Sequence, residues 1–133
     1  MSRAAGPRAG TPPPPDARTR GVRNPFVVDR IERDRDSHRV VLVMLEPRPW
    51  GSDPEQLDQL EEKLNSYLGY VLGGHLVRQY PDYEGMPVRF QLECVASPRV
   101  LEEDFLAAAR HHCAGEGIEL TVVVRTAEEL AAR

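Results

Sequence analysis

Cysteine, aromatic residues and long apolar runs are all scarce in this sequence. Its 133 residues include two cysteines, Cys94 and Cys113, and 6% of them are aromatic. Two cysteines are too few for a disulfide framework or a four-cysteine zinc site, so a reducing, cytoplasmic location is expected. No apolar run approaches the ~20 residues of a membrane span, which excludes an integral membrane protein. The first residues also lack the apolar segment of a secretory signal.

Charge is distributed unevenly along the chain. Residues 1–23 carry five arginines against one aspartate, whereas the residues after them carry 12 basic and 20 acidic side chains. An acidic domain repels phosphate over most of its surface, so nucleic acid is a poor partner for it and a basic protein is a better one. The basic N-terminal segment could itself contact nucleic acid or an acidic partner.

Proline and arginine dominate that N-terminal segment. It contains Pro7 and the run Pro12–Pro15 but hardly any large aliphatic side chain, so it cannot bury enough apolar surface to offset its conformational entropy. We predict a disordered tail over residues 1–24 and a single α/β domain over residues 25–133. The tail either docks in an aromatic groove as a polyproline II helix or serves only as a solubilising leader.

The first half of the domain has the pattern of a hairpin followed by a helix. Two apolar segments, Phe26–Ile31 and Val40–Leu45, flank a four-residue polar turn and predict a β-hairpin. Asp53 as N-cap with Gln56 three residues later predicts a capping box at the start of a helix. Gly73 and Gly74 end that helix, whose apolar face comprises Leu57, Leu60, Leu64, Tyr67, Leu68, Val71 and Leu72.

The second half alternates strands and helices. Residues 75–87 fit either an extension of the helix after a kink or a separate short element. Val88–Cys94 and Ile118–Val124 alternate as strands. Between them, a helix opens at Ser97 and closes at Gly115 or Gly117. Its predicted inner face is Leu101, Phe105, Ala108, Ala109 and His112.

A last short helix follows, with Thr126 and Glu129 as its capping box. The resulting order is β-β-α-β-α-β-α. Strands separated by helices are joined by parallel crossovers, and the tight hairpin makes the first strand antiparallel to the second. We predict an α/β (α+β) fold with a four-stranded mixed sheet.

An arginine follows each of the three parallel strands. Arg48 comes after the second strand, Arg99 after the third and Arg125 after the last. Because ligands bind beyond the carboxyl ends of parallel strands, these guanidinium groups predict a rim that binds an anion or a carboxylate-bearing partner. The alternative is local neutralisation by nearby carboxylates, each exposed ion pair being worth at most ~1 kcal/mol.

Trp50, the only tryptophan, lies in the loop that also carries Arg48. A rigid aromatic side chain there is typical of a partner-contact residue, and the alternative is a lid folded back over the first helix. The predicted binding rim is therefore Arg48, Trp50, Arg99 and Arg125.

The sequence contains few groups of residues with catalytic spacing, so a non-enzymatic function without metal or cofactor is favoured. His111, His112 and Cys113 are adjacent on a helix and lack the i, i+4 spacing of paired ligands, which favours a core-facing His112 and an exposed His111. One enzymatic alternative remains. Asp29 followed by Glu46, Pro47 and Arg48 is similar to a degenerate metal-dependent nuclease motif of the restriction-endonuclease type, in which two carboxylates would hold Mg²⁺.

A composite pattern resembles an uncharacterised bacterial family classed as a domain of unknown function. The pattern comprises Glu46, Arg48, Pro49 and Trp50 after a strand, then Gln59, Leu60, Lys63, Leu64, Asn65, Tyr67 and Leu68 on a helix, then Tyr80, Pro81, Gly85 and Pro87 through Leu92. The resemblance covers about residues 27–124 and implies a bacterial cytoplasmic domain without adding a chemistry.

Three functions follow from the sequence. The first is a protein-binding or adaptor module that uses the rim, with the tail as an auxiliary contact. The second is a regulatory domain that binds a small anion or a nucleotide at the same rim, and the third is the degenerate nuclease.

Overall fold

The computed structural model describes residues 19–133. Residues 1–18 of the predicted tail lie outside this range. Residues 19–24, which the prediction assigned to the tail, pack on the domain. Val22 and Asn24 are buried, and the Val22 N–H donates to the Leu45 carbonyl at 2.8 Å. Packing against the domain therefore extends to residues before the predicted boundary at residue 25.

The described residues form a four-stranded mixed sheet with strands in chain order. The strands are β1 (Arg30–Asp34), β2 (Arg39–Glu46), β3 (Val88–Cys94) and β4 (Glu119–Val124). β1 pairs antiparallel with β2, whereas β2, β3 and β4 are mutually parallel. The predicted sheet and its connections are confirmed.

Four helices accompany the sheet: α1 (Gln56–Leu72), α2 (His75–Gln79), α3 (Val100–Gly115) and α4 (Ala127–Ala131). The segment that the sequence left ambiguous contains α2 and a 3-10 helix at Pro81–Tyr83. Gly74 adopts a left-handed φ of 82° between α1 and α2, which separates the two helices. None of the helices within residues 19–133 is long and apolar enough to cross a membrane.

Helix α1 and helix α4 begin differently. The predicted capping box at Asp53 is wrong: Asp53 Oδ1 accepts from the Glu55 N–H at 2.9 Å, but α1 begins after Glu55, where no side chain caps it. The Gln56 amide instead accepts from the Gly51 N–H at 2.8 Å, so it binds the preceding loop. The capping box of α4 is confirmed: Thr126 Oγ1 accepts from the Glu129 N–H, and Glu129 accepts from the Thr126 N–H.

Helices α1 and α3 pack on the same face of the sheet. Both crossovers step in the same direction, from β2 to β3 and from β3 to β4, and crossovers share one handedness, so both helices arrive on one side. We call this side the apolar face. Its core joins Leu60, Leu64, Tyr67 and Leu106 of the helices to the strand residues Val40, Leu42, Met44, Phe90, Leu92 and Leu120.

The opposite side of the sheet, which we call the polar face, carries Arg30, Glu32, Asp34, Arg39, Arg89, Gln91, Glu93, Glu119 and Thr121. Ion pairs cross it between strands that are two apart in the sheet, with Arg89 of β3 to Asp34 of β1 at 3.1 Å and Arg39 of β2 to Glu119 of β4 at 2.9 Å. Val41 and Val43 are buried between these long side chains. Helix α4 covers one end through Leu130.

Helix α3 buries a different stripe from the predicted one. Leu106 and Cys113 are buried, whereas Leu101 is 63% exposed and His112 is exposed. The prediction of a core-facing His112 is therefore wrong. Both stripes have helical spacing, and packing against the sheet, which the spacing does not encode, decides which one turns inward.

Candidate functional site

Arg48 is bound within the chain by two carboxylates. Its Nε and Nη2 donate to the two carboxylate oxygens of the buried Glu46 at 3.0 and 2.8 Å, and its Nη1 donates to Asp53 at 3.2 Å. The hydrogen bond with Glu46 raises the pKa of Arg48 above its usual value. This bidentate pair directs the guanidinium to Glu46.

Arg99 pairs with Glu102 and also touches the loop after β2. Its Nε and Nη2 donate to Glu102 at 2.9 and 2.7 Å, and hydrogen bonding to Arg99 holds the pKa of Glu102 below its usual value. The guanidinium lies against Gly51, where an added Cβ would be 2.6 Å from Nη2. The loops after β2 and β3 therefore meet at this contact.

Arg125 binds a carboxylate on the polar face. Its Nε donates to Glu93 at 2.8 Å, and Glu93 also accepts from Arg133 at 2.6 Å and from Gln91 at 2.8 Å. Glu93 is fully buried and shares a cross-strand row with Leu45, whereas Glu46 shares a row with Cys94 of the apolar face. The guanidinium groups of Arg48 and Arg125 thus reach carboxylates on opposite sides of the sheet.

Trp50 is buried and packs in the main core. Its indole Nε1–H donates to the Ala96 carbonyl at 2.9 Å, so it joins the loop after β2 to the loop after β3. The structure therefore brings Trp50, Gly51 and Arg99 together. An anion at the predicted rim would have to displace Glu46, Glu102 and Glu93 from their arginines.

A buried ion pair that sequence reasoning missed lies beneath α1. Lys63 Nζ donates to Asp29 Oδ1 at 2.8 Å and to the carbonyls of Asn24 and Val27 at 2.5 and 2.7 Å. Burial lowers the pKa of Lys63, although the Asp29 carboxylate opposes this effect. The available signal was a charged residue on the apolar stripe between Leu60 and Tyr67.

Asp29 and Tyr67 replace backbone hydrogen bonds where the β1–β2 ladder stops at Arg30. The Tyr67 hydroxyl donates to the Val43 carbonyl at 2.6 Å and accepts from the Asp29 N–H at 2.8 Å. The Asp29 carboxylate accepts from the N–H groups of Gly21 and Leu45. With Lys63 added, both Asp29 oxygens are engaged, so this carboxylate does not fit the role of an available Mg²⁺ ligand.

An apolar groove lies between α1 and α3, and we call it the helix groove. Its volume is about 230 Å³. It is lined by Glu61, Leu64, Asn65 and Leu68 of α1 and by Phe105, Ala108, Ala109, His112 and Cys113 of α3. Burial raises the pKa of the Cys113 thiol, which keeps that thiol protonated and apolar at neutral pH. His112 lies in the wall of the helix groove and not in the core, where it was predicted.

The comparisons with known proteins give a family and no activity. A search of curated proteins and a search of solved structures each gave no match. The sequence profile of DUF6572, a family of unknown function, matches residues 21–126. This range includes β1 through β4, the helix groove and the buried Lys63 pair. The resemblance to a family of unknown function is confirmed, and the chain belongs to this family.

Proposed function

We propose that this chain is a non-enzymatic protein-binding module that takes a basic amphipathic helix of a partner protein in the helix groove. The observation that carries the proposal is the apolar lining between two helices. Leu68 of α1 and Phe105 of α3 both line a space of about 230 Å³. A space somewhat below the usual size of ligand pockets suits one or two apolar anchor side chains better than a cofactor. Helix-in-groove recognition uses such anchors at i and i+4.

Charge supports a basic partner. The exposed sides of α1 and α3 carry five carboxylates, Asp58, Glu61, Glu62, Glu103 and Asp104. Lys63, the one lysine, is buried, and Arg110 is the one arginine within these two helices. Complementary charges around an apolar anchor raise the association rate and disfavour acidic competitors. A helix with apolar anchors on one side and lysine or arginine on its flanks matches both properties.

Other predictions from the sequence have less support. A small-anion or nucleotide site would compete with the carboxylates that hold Arg48, Arg99 and Arg125, and a nuclease site would need Asp29, which Lys63 holds. A contribution of the tail to partner binding stays a prediction. We also propose a bacterial, cytoplasmic protein; free thiols at Cys94 and Cys113 fit a reducing compartment.

A fluorescent model peptide tests the groove. The probe is a helical peptide of about 18 residues with leucine at i, i+3, i+4 and i+7 and lysine elsewhere. There are two control peptides. One has the same composition in scrambled order, and the other keeps the leucines and has glutamate in place of every lysine. Fluorescence anisotropy should show binding of the amphipathic lysine peptide, weaker binding of the scrambled peptide and the weakest binding of the glutamate peptide.

Matched variants locate the binding site. Ala108→Arg places a long charged side chain in the helix groove, whereas Ala107→Arg adds the same charge at an adjacent exposed position of α3 outside its lining. Ala108→Arg should weaken peptide binding at least about tenfold, while Ala107→Arg should stay within about twofold. Equal weakening by the two variants, or equal binding of the lysine and scrambled peptides, would contradict the proposal.

A further inference from the structure

The two edge strands of the sheet have opposite character. β1 forms one edge, and four of its five residues are charged: Arg30, Glu32, Arg33 and Asp34. β4 forms the other edge, and Glu119 is its only charged residue, followed by Leu120 through Val124. Charged residues, prolines and bulges are the usual protection of an edge strand against pairing. β1 has such protection and β4 lacks it.

The backbone groups that β4 directs outward are known from its pairing with β3. The Arg125 N–H donates to the Cys94 carbonyl. Because successive residues of a strand direct their backbone groups to opposite sides, the N–H and C=O groups of Thr121 and Val123 point towards β3. Leu120, Val122 and Val124 then direct their N–H and C=O groups away from the sheet. Val124 also exposes 49% of its surface.

We propose that this chain forms a two-fold symmetric dimer in which β4 pairs antiparallel with β4 of a second copy, giving a continuous eight-stranded sheet. A two-fold axis normal to the sheet keeps both apolar faces on one side, so outward residues must pair with outward residues. Centring the axis on Val122 places Val122 opposite itself and Leu120 opposite Val124. All three outward residues then have partners.

Charge complementarity favours the same register. With the axis at Val122, Glu119 lies directly opposite Arg125 of the second copy, and opposite charges in such cross-strand pairs are stabilising. Both side chains keep exposed surface beside their internal partners, with 46% of the Glu119 side chain and 27% of the Arg125 side chain exposed. A register shifted by two residues would set Val124 against Ile118, whose N–H already donates to Cys113.

Cysteine substitution tests the register directly. In the Val122→Cys dimer the two cysteine Cα atoms would be about 5.5 Å apart, which is within the range of a disulfide. Val124→Cys is the matched control, because its two copies would be separated by four residues along the strand, about 13 Å. Cys94 and Cys113 are buried and do not compete. Mild oxidation should give a covalent dimer of Val122→Cys on a non-reducing gel and far less of Val124→Cys.

A second variant tests the dimer without a disulfide. Val122→Pro removes an outward N–H and none that addresses β3, so the fold should persist with its far-ultraviolet circular dichroism unchanged. Sedimentation of the wild-type chain over a concentration series should show a reversible dimer, and Val122→Pro should sediment as a monomer at the same concentrations. A monomeric wild-type chain, or equal disulfide yields from the two cysteine variants, would overturn the proposal.

Discussion

At the scale of single residues, Lys63 is one of the fully buried charges. Its ammonium group has three oxygen acceptors and lies 5.5 Å from the centre of the Tyr67 ring, and no part of its side chain is exposed. Three donors meeting three acceptors leave no unsatisfied polar group on the amine. The contact holds α1 against residues 24–29, which precede β1 and have no strand pairing.

Replacing Lys63 should therefore destabilise the whole domain. Lys63→Met removes the partner of the buried Asp29 carboxylate, and breaking one side of a buried ion pair costs about 3–5 kcal/mol. Urea denaturation should show this decrease in the free energy of unfolding. The exposed neighbour serves as control, since Glu62→Met should change stability by less than about 0.5 kcal/mol. A loss below about 1 kcal/mol for Lys63→Met would contradict the structural role.

Residue roles were the hardest feature to predict from the sequence. Arginines after the strands were recognised, but the carboxylates that bind them lie two or three residues away for Arg48 and Arg99 and 32 residues away for Arg125. The first two pairs are visible in the sequence as local alternatives. The third depends on the sheet register, which sequence spacing does not specify.

At the scale of elements, Gly51 controls how two loops approach each other. Its φ is 84°, a left-handed conformation, and the Arg99 guanidinium occupies the space of a Cβ. Gly51→Ala should lower the free energy of unfolding by about 1–3 kcal/mol, because alanine is strained in this conformation. Urea denaturation measures the change.

Gly69 provides the matched control for Gly51. It lies inside α1, and a Cβ there would meet nothing within 4 Å. Gly69→Ala should raise the free energy of unfolding by up to about 1 kcal/mol, since alanine has the higher helix propensity. Equal effects of the two substitutions would show that the loop contact at Gly51 has no special conformational demand.

Element order followed directly from apolar periodicity, but the orientation of each element did not. Leu60, Leu64, Tyr67 and Leu68 form the buried side of α1, as predicted. Leu72, which the prediction also placed on that side, is 54% exposed at the end of the helix. In α3, apolar residues extend around a wider arc. Periodicity then permits two inner faces, and the contact of Leu106 with the core selects between them.

At the scale of the whole molecule, Glu93 couples stability to pH. Burial by itself raises the pKa of Glu93, but hydrogen bonds from Arg133, Arg125 and Gln91 outweigh burial and lower the pKa below the usual 4.5. In acid the unfolded chain then takes up a proton at this position before the folded chain does. The stabilisation from Glu93 is present above about pH 4.5 and is lost as the pH falls through the lower folded-state value.

Glu93→Gln tests this dependence. The variant should be less stable than the wild-type chain at pH 7, and the difference in the free energy of unfolding should shrink as the pH falls below 4.5. Urea denaturation at a series of pH values gives the comparison. Val43→Ala, an uncharged truncation in the same sheet, should lower stability by a constant amount across the range. A difference for Glu93→Gln that also stays constant would contradict the assignment.

The two sides of the sheet place different demands on amino-acid replacement. On the apolar face, interlocking volumes decide which side chains fit. On the polar face, the balance of charge around Glu93, Glu32 and Arg133 decides which side chains are tolerated. Among related chains, we expect positions 42, 44, 90 and 92 to stay uncharged and to change in size only together. Positions 32, 93, 125 and 133 should instead vary in concert, so that the loss of an acid accompanies the loss of a base.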